Sequence, residues 1–143
     1  MKNYRKIPNP ITGKMQRVLS DEYLENLIKV YVDRGDPTAW DATEATLTET
    51  LTWTDWDLSS IVPVGAKAVL IRVRIKTNPA FHAIIFREKG NSNILVAGAT
   101  RTQVANVWYE NQVIVACDSD RVIQYYLSFS PVDMDIVIGG WFI

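Results

Sequence analysis

Residues 68–76 read Ala68-Val69-Leu70-Ile71-Arg72-Val73-Arg74-Ile75-Lys76. In an extended chain successive side chains point to opposite faces. Val69, Ile71, Val73 and Ile75 therefore fall on one face, and Leu70, Arg72, Arg74 and Lys76 on the other. One apolar face and one wet face describe a strand of an antiparallel sheet covered on one side. The period of two extends in both directions from this stretch. Leu47, Leu51 and Trp53 alternate with threonines upstream, and downstream His82, Ile84 and Phe86 share a face opposite Ala83 and Ile85. Further runs at 93–97, 101–109, 112–117, 121–129 and 134–142 are separated by turn clusters, among them Thr77-Asn78-Pro79, Lys89-Gly90-Asn91, Asp118-Ser119-Asp120 and Ser130-Pro131. About eight strands at roughly 8–12-residue spacing, with no helical run between them, predict an all-β antiparallel sandwich or jelly roll. A parallel sheet would need long crossovers for which the chain has no room.

At 143 residues the chain fits one such domain plus an appendage. Hydrophobic residues make up 48% and charged residues 22%, as in an ordinary globular protein, and five tryptophans raise the aromatic content. The net charge of −1 gives the molecule no bias towards nucleic acid or membrane. Cys117 is the single cysteine, so an intrachain disulfide is excluded, and its alternation with Val113 and Val115 reads as a small buried hydrophobe. The first residues show no secretory apolar region, and no run approaches a membrane span.

Charge is unevenly distributed. Residues 1–17 carry Lys2, Arg5, Lys6, Lys14 and Arg17 without an acid, whereas 35–60 carry Asp36, Asp41, Glu44, Glu49, Asp55 and Asp57 without a base. The first nineteen residues, with Pro8, Pro10 and Gly13, read as an extended basic arm too polar to order itself unaided. A short helix follows: Ser20 as N-cap, then Tyr23, Leu24, Leu27, Ile28 and Tyr31 at helical spacing, ended by Asp33-Arg34-Gly35-Asp36-Pro37. Val30, Tyr31 and Val32 also suit a strand. The resulting division is an arm and helix for docking over 1–40 and a β-sandwich over 41–143.

Catalytic chemistry is thin. His82 is the single histidine, which rules out a multi-histidine metal site, and nothing marks it, Cys117 or a serine as an activated pair. Asp55 with Asp57, and Asp133 with Asp135, alternate with apolar residues and read as the solvent side of strands. Asp118-Ser119-Asp120 reads as a turn before it reads as a calcium loop. The expectation is therefore no enzyme, no cofactor and no metal. Arg34-Gly35-Asp36 matches an integrin-recognised tripeptide, but with Pro37 next to it the segment reads as a turn. Arg72, Arg74 and Lys76, with Arg87, Lys89 and Arg101, lack an interleaved aromatic platform in sequence and read as a solvated face or subunit interface rather than a nucleic-acid patch. The apolar ending Trp141-Phe142-Ile143 requires a paired or covered last strand.

Several stretches resemble a pattern of phage and prophage-type virion proteins with jelly-roll domains of the tail, fibre or head-decoration class. They are Trp53 through Ile75, Phe86-Arg-Glu-Lys-Gly-Asn-Ser-Asn93, Arg101-Thr-Gln-Val-Ala-Asn-Val107, Val115 through Tyr125, Gly140-Trp141 and Val32-Asp-Arg-Gly-Asp-Pro37. The resemblance covers roughly 32–143 and implies a virion structural protein that assembles with its own copies, as a trimer for instance, and with other virion proteins. On this reading Tyr4, Arg5, Lys6, Ile7, Leu24, Leu27 and Ile28 are the docking residues, and neither nucleic acid nor membrane is a partner. The alternative is a receptor- or carbohydrate-binding module stacking sugars on Trp40, Trp56 or Tyr109.

Overall fold

The computed structural model describes residues 31–143, together with the backbone of residues 4–8 and 15–19. The chain divides into two compact units, Met1–Val30 and Tyr31–Ile143. In the first, β1 (Tyr4–Pro8) pairs antiparallel with β2 (Met15–Leu19), from Tyr4 opposite Leu19 to Pro8 opposite Met15. The segment expected as an extended arm thus satisfies backbone groups within itself. Pro10 and Gly13, read as punctuation, lie in sequence between two runs that pair.

The second unit carries the remaining strands, β3 (Tyr31–Asp33), β4 (Ala42–Thr43), β5 (Thr54–Asp57), β6 (Ala68–Lys76), β7 (Ala83–Glu88), β8 (Gly98–Arg101), β9 (Tyr109–Ala116), β10 (Val122–Leu127) and β11 (Asp133–Phe142). They form two antiparallel sheets. One runs β3-β11-β6-β9, with β4 also on β11, and the other runs β5-β10-β7-β8. Taking β3 and β4 together as the first strand, successive strands alternate between the sheets except at β7 and β8, which pair with each other, and this is the strand order of an eight-stranded jelly roll. The expected fold class is the observed one.

Tyr31, expected in the helical stripe, stands instead in β3, where Tyr31–Asp33 pairs with Phe142–Gly140. The β-branched and aromatic run there finds an open sheet edge, and pairing overrides the helical spacing. The rest of the expected helix, Ser20–Val30, lies outside the described residues. Residues 31–40, assigned from sequence to the docking segment, belong to the sandwich unit. Two expected strands also shift. Residues 93–97 form no strand, and the 101–109 run holds only the end of β8 and the start of β9. A side chain at Gly98 would collide with Val113, so β8 begins where a glycine allows close approach to β9.

The core forms between the sheets. Val69, Ile71, Val73 and Ile75 of β6, with Met134, Ile136 and Ile138 of β11, face Ile84 and Phe86 of β7 and Ile123, Tyr125 and Leu127 of β10. Cys117 is buried among them and donates to the Ala66 carbonyl at 3.4 Å, and burial pushes its thiol pKa up. A register shift between Ile138 and Gly140 switches the parity of β11. Ile136 and Ile138 point inward before it, and after it Trp141 packs against the core while Phe142 meets Tyr31 on the other face, ring centroids 5.3 Å apart. The closing strand is paired on both sides, by β6 and by β3 and β4, as its apolar sequence requires.

Candidate functional site

The parity of β6 builds the outer face of the five-stranded sheet. With its valines and isoleucines inward, Arg72, Arg74 and Lys76 stand outward in a row. Register places Glu110 of β9 opposite Arg74, and Asp133, Asp135 and Val137 of β11 opposite Lys76, Arg74 and Arg72. Each cation takes a carboxylate: Arg74 Nε to Asp135 Oδ2 at 2.7 Å, Arg72 to Glu110 Oε2 at 3.2 Å, and Lys76 to Asp133. The acids that neutralise this row come from neighbouring strands, not from the acidic stretch at 35–60.

Two indoles lie on the row. The Trp40 ring centroid is 5.0 Å from the Arg74 guanidinium carbon and 5.9 Å from that of Arg72. The Trp108 centroid is 4.6 Å from the same Arg74 carbon and 5.1 Å from Lys76 Nζ. Both indoles remain 38% exposed, so these are cation–π contacts at a wet surface. The aromatic platform missing along the sequence is thus present in space. Trp40 comes from the loop after β3 and Trp108 from the residue before β9, so no local spacing announces the pairing.

Trp40 is held by its neighbours. Asp41, only 8% exposed at its side chain, accepts from Arg34 Nη1 at 2.5 Å and from the Ile138 backbone N–H at 2.8 Å. Arg34 also donates to the Ile138 carbonyl at 3.1 Å. The Asp33 carboxylate accepts the Gly35 N–H at 2.6 Å, with Gly35 at φ 95°, a left-handed conformation that favours glycine. These contacts clamp loop 34–41 to β11, and they account for Arg34-Gly35-Asp36 as a turn whose arginine is engaged in the fold. Between the loop and the sheet lies an open cleft of about 420 Å³, lined by Asp36, Pro37, Thr38, Trp40, Arg72 and Val137 among others.

Of the other two stacking candidates, Trp56 packs against the core 6.3 Å from Phe86, and Tyr109 packs against the core opposite Ile75. Trp40 alone of the three stands on the open face. Tyr4, Arg5, Lys6 and Ile7 lie on β1, whose side chains are outside the described residues, as are Leu24, Leu27 and Ile28 altogether. The second sheet carries an outer network that sequence reading missed. Arg87 lies over Trp53 at 3.9 Å and donates to Gln124, which donates to Asp55, which pairs with Lys89 at 2.6 Å.

The residues weighed for catalysis make contacts within the fold. His82 Nδ1 is 3.2 Å from Ser128 Oγ, and its ring stacks on Phe129 at 4.6 Å. Asp57 caps the Ser59 N–H, and Asp118 Oδ1 accepts from the N–H groups of Asp120 and Val122. Among the described residues no group of three or more His, Cys, Asp or Glu side chains is placed to hold a metal ion.

A second surface lies at the end of the sandwich where β6, β8 and β10 finish. The loops there are joined by hydrogen bonds from Leu51 to Leu127, Phe81 to Thr102, Asn106 to Thr77 and Val132 to Lys76. They expose Leu51, Phe81, Val104, Val107, Phe129 and Val132. Leu51 and Phe81 adopt φ of 58° and 67°, which is uncommon for bulky residues. No family model and no curated protein matches this chain.

Proposed function

We propose that this chain is a structural component of a bacteriophage particle, a jelly-roll body that assembles with its own copies and is joined to the particle through its N-terminal segment. The observation that carries the assembly is the apolar end built by Leu51, Phe81, Val104, Val107, Phe129 and Val132. Large apolar side chains exposed together on joined loops favour protein–protein contact, because leaving them in water is unfavourable. The separate N-terminal unit supports docking, since a basic segment with its own paired strands precedes the sandwich. The residues assigned to that docking are Tyr4, Arg5, Lys6, Ile7, Leu24, Leu27 and Ile28. The phage assignment itself rests on the resemblance of residues 32–143. On this reading the protein is not an enzyme and needs no cofactor.

Native mass spectrometry of the full chain tests the assembly. A closed oligomer is expected, reduced to a smaller species by Phe81→Ser with Val104→Ser. A monomer at all concentrations would refute it. Recovery of the chain from purified particles, and its loss when residues 1–19 are deleted, tests the docking. A second reading, carbohydrate or receptor binding, is favoured by one observation: Trp40 stands exposed at an open cleft of mixed polar and apolar lining.

A further inference from the structure

We infer that the cleft beside Trp40 is a binding site for a neutral pyranose, as a terminal sugar or within a glycan chain. The inference rests on the carbohydrate reading above and gives it a place and a ligand chemistry. The cleft combines the three groups an uncharged sugar uses. The Trp40 indole offers an aromatic surface for the apolar C–H face of a pyranose ring. The Asp36 carboxylate can accept from two vicinal hydroxyls, and the Thr38 hydroxyl and Arg72 guanidinium can donate to ring or hydroxyl oxygens. Pro37 and Val137 add apolar surface to the lining.

Charge decides between ligands. An aromatic–arginine row would also suit single-stranded nucleic acid or an acidic glycan, both of which need uncompensated positive charge. Here Arg72, Arg74 and Lys76 are each matched by a carboxylate of the same sheet, and Asp36 adds a further negative group at the cleft. The face therefore lacks the field that would draw in a polyanion, and a polyol with no charge fits it better. Rigidity points the same way. The Arg34–Asp41 clamp fixes the residue next to Trp40, and Arg74 lies over both indoles, so the platform is held before any ligand arrives. Trp108 extends the same row beyond Arg74 and supplies a second stacking surface for a longer glycan.

The test is a glycan array with the full chain, followed by titration with methyl glycosides of glucose, galactose and mannose. Sialylated and uronate glycans and oligothymidylate serve as charged comparators. Neutral glycans are expected to bind with little dependence on salt. Trp40→Ala and the isosteric Asp36→Asn should each weaken binding by roughly tenfold or more, and Trp40→Phe should retain most of it. Should Trp40→Ala fail to fold, as read by near-ultraviolet circular dichroism, Asp36→Asn decides alone. Tighter, salt-sensitive binding of the charged comparators would overturn the neutral-ligand assignment. Neutral binding unchanged in Trp40→Ala or Asp36→Asn would overturn this cleft while leaving carbohydrate binding elsewhere intact. Absence of binding to any glycan would overturn both, and the oligomer measurement would stand untouched.

Discussion

Single residues set the parity on which the architecture depends. Gly140 sits where β11 passes β3, and a Cβ there would run into the Val32 carbonyl oxygen and the Tyr31 ring. Since the blocking atom on β3 is backbone, it cannot swing aside, and the strands must separate. Gly140→Ala is expected to cost about 1–3 kcal/mol, read as a lower denaturant midpoint with unchanged slope. Neighbouring Gly139 meets nothing closer than Leu70, in ordinary contact at 3.8 Å, so Gly139→Ala should be far milder. At Asp55 the relevant property is charge. The Lys89 ammonium, and then Gln124, hold its carboxyl below the usual value of 3.8. A lowered folded value means stability that is present above about pH 4 and lost as the pH falls through the folded value. Wild type should therefore lose stability more steeply below pH 4 than Asp55→Asn, and the difference should shrink in salt because both partners are about half exposed. Urea midpoints between pH 2 and 6, with and without added salt, check it. Much at this scale was legible beforehand. Cys117 reads as buried, and both aspartate pairs as the wet side of strands, because each alternates with apolar neighbours. Trp108 was not legible as a surface group, since its partners Arg74 and Lys76 are distant in sequence and meet it only through sheet register.

At the scale of elements, the strands are read from alternation and the loops from what ties them together. Alternation located β6, β7, β10 and β11, where one face is buried and the register has a single solution. It failed at 93–97, an apolar run that the fold leaves exposed at Ile94, Leu95 and Val96. Apolar character alone does not provide a pairing partner. Helical spacing, not alternation, misplaces Tyr31, whose β-branched and aromatic neighbours also suit the edge strand that Tyr31–Asp33 forms. The loops at the apolar end hold a buried pair, Thr77 Oγ1 and Thr102 Oγ1, 2.6 Å apart and fully shielded from water. Thr102 Oγ1 also reaches the His82 carbonyl at 3.2 Å, so Thr102 sits at the centre of the tie. Thr102→Val leaves the Thr77 hydroxyl buried without a partner, which costs about 1–3 kcal/mol. Thr77→Val should cost less, because Thr102 keeps the carbonyl. Combined, the two changes remove the stranded group, and the double variant should be more stable than additivity requires by about 1 kcal/mol. Chemical denaturation of the four proteins measures that coupling, and strict additivity would show that the hydroxyls do not hold the loops together.

For the whole molecule, the question is which part of the chain makes the fold and which part makes the assembly. Among the described residues, every strand of the jelly roll and every residue of the core cluster lies within 31–143. The strand pairing described for the sandwich is thus contained in the unit Tyr31–Ile143. A chain of residues 31–143 is expected to unfold in one transition within about 4 °C of the full chain, the shift that roughly 1 kcal/mol produces in a domain of this size. Under the proposed function the same truncation has a different effect on association. Self-contact through the apolar loop end survives in the truncated chain, whereas attachment through the basic segment does not. Differential scanning calorimetry and native mass spectrometry of the two chains separate these outcomes. A truncated chain that melts as the full one does, still forms its oligomer and no longer joins the particle would place the docking function in residues 1–30. A truncated chain that melts much earlier would mean that the first unit stabilises the sandwich, and fold and docking would then not divide between the two units.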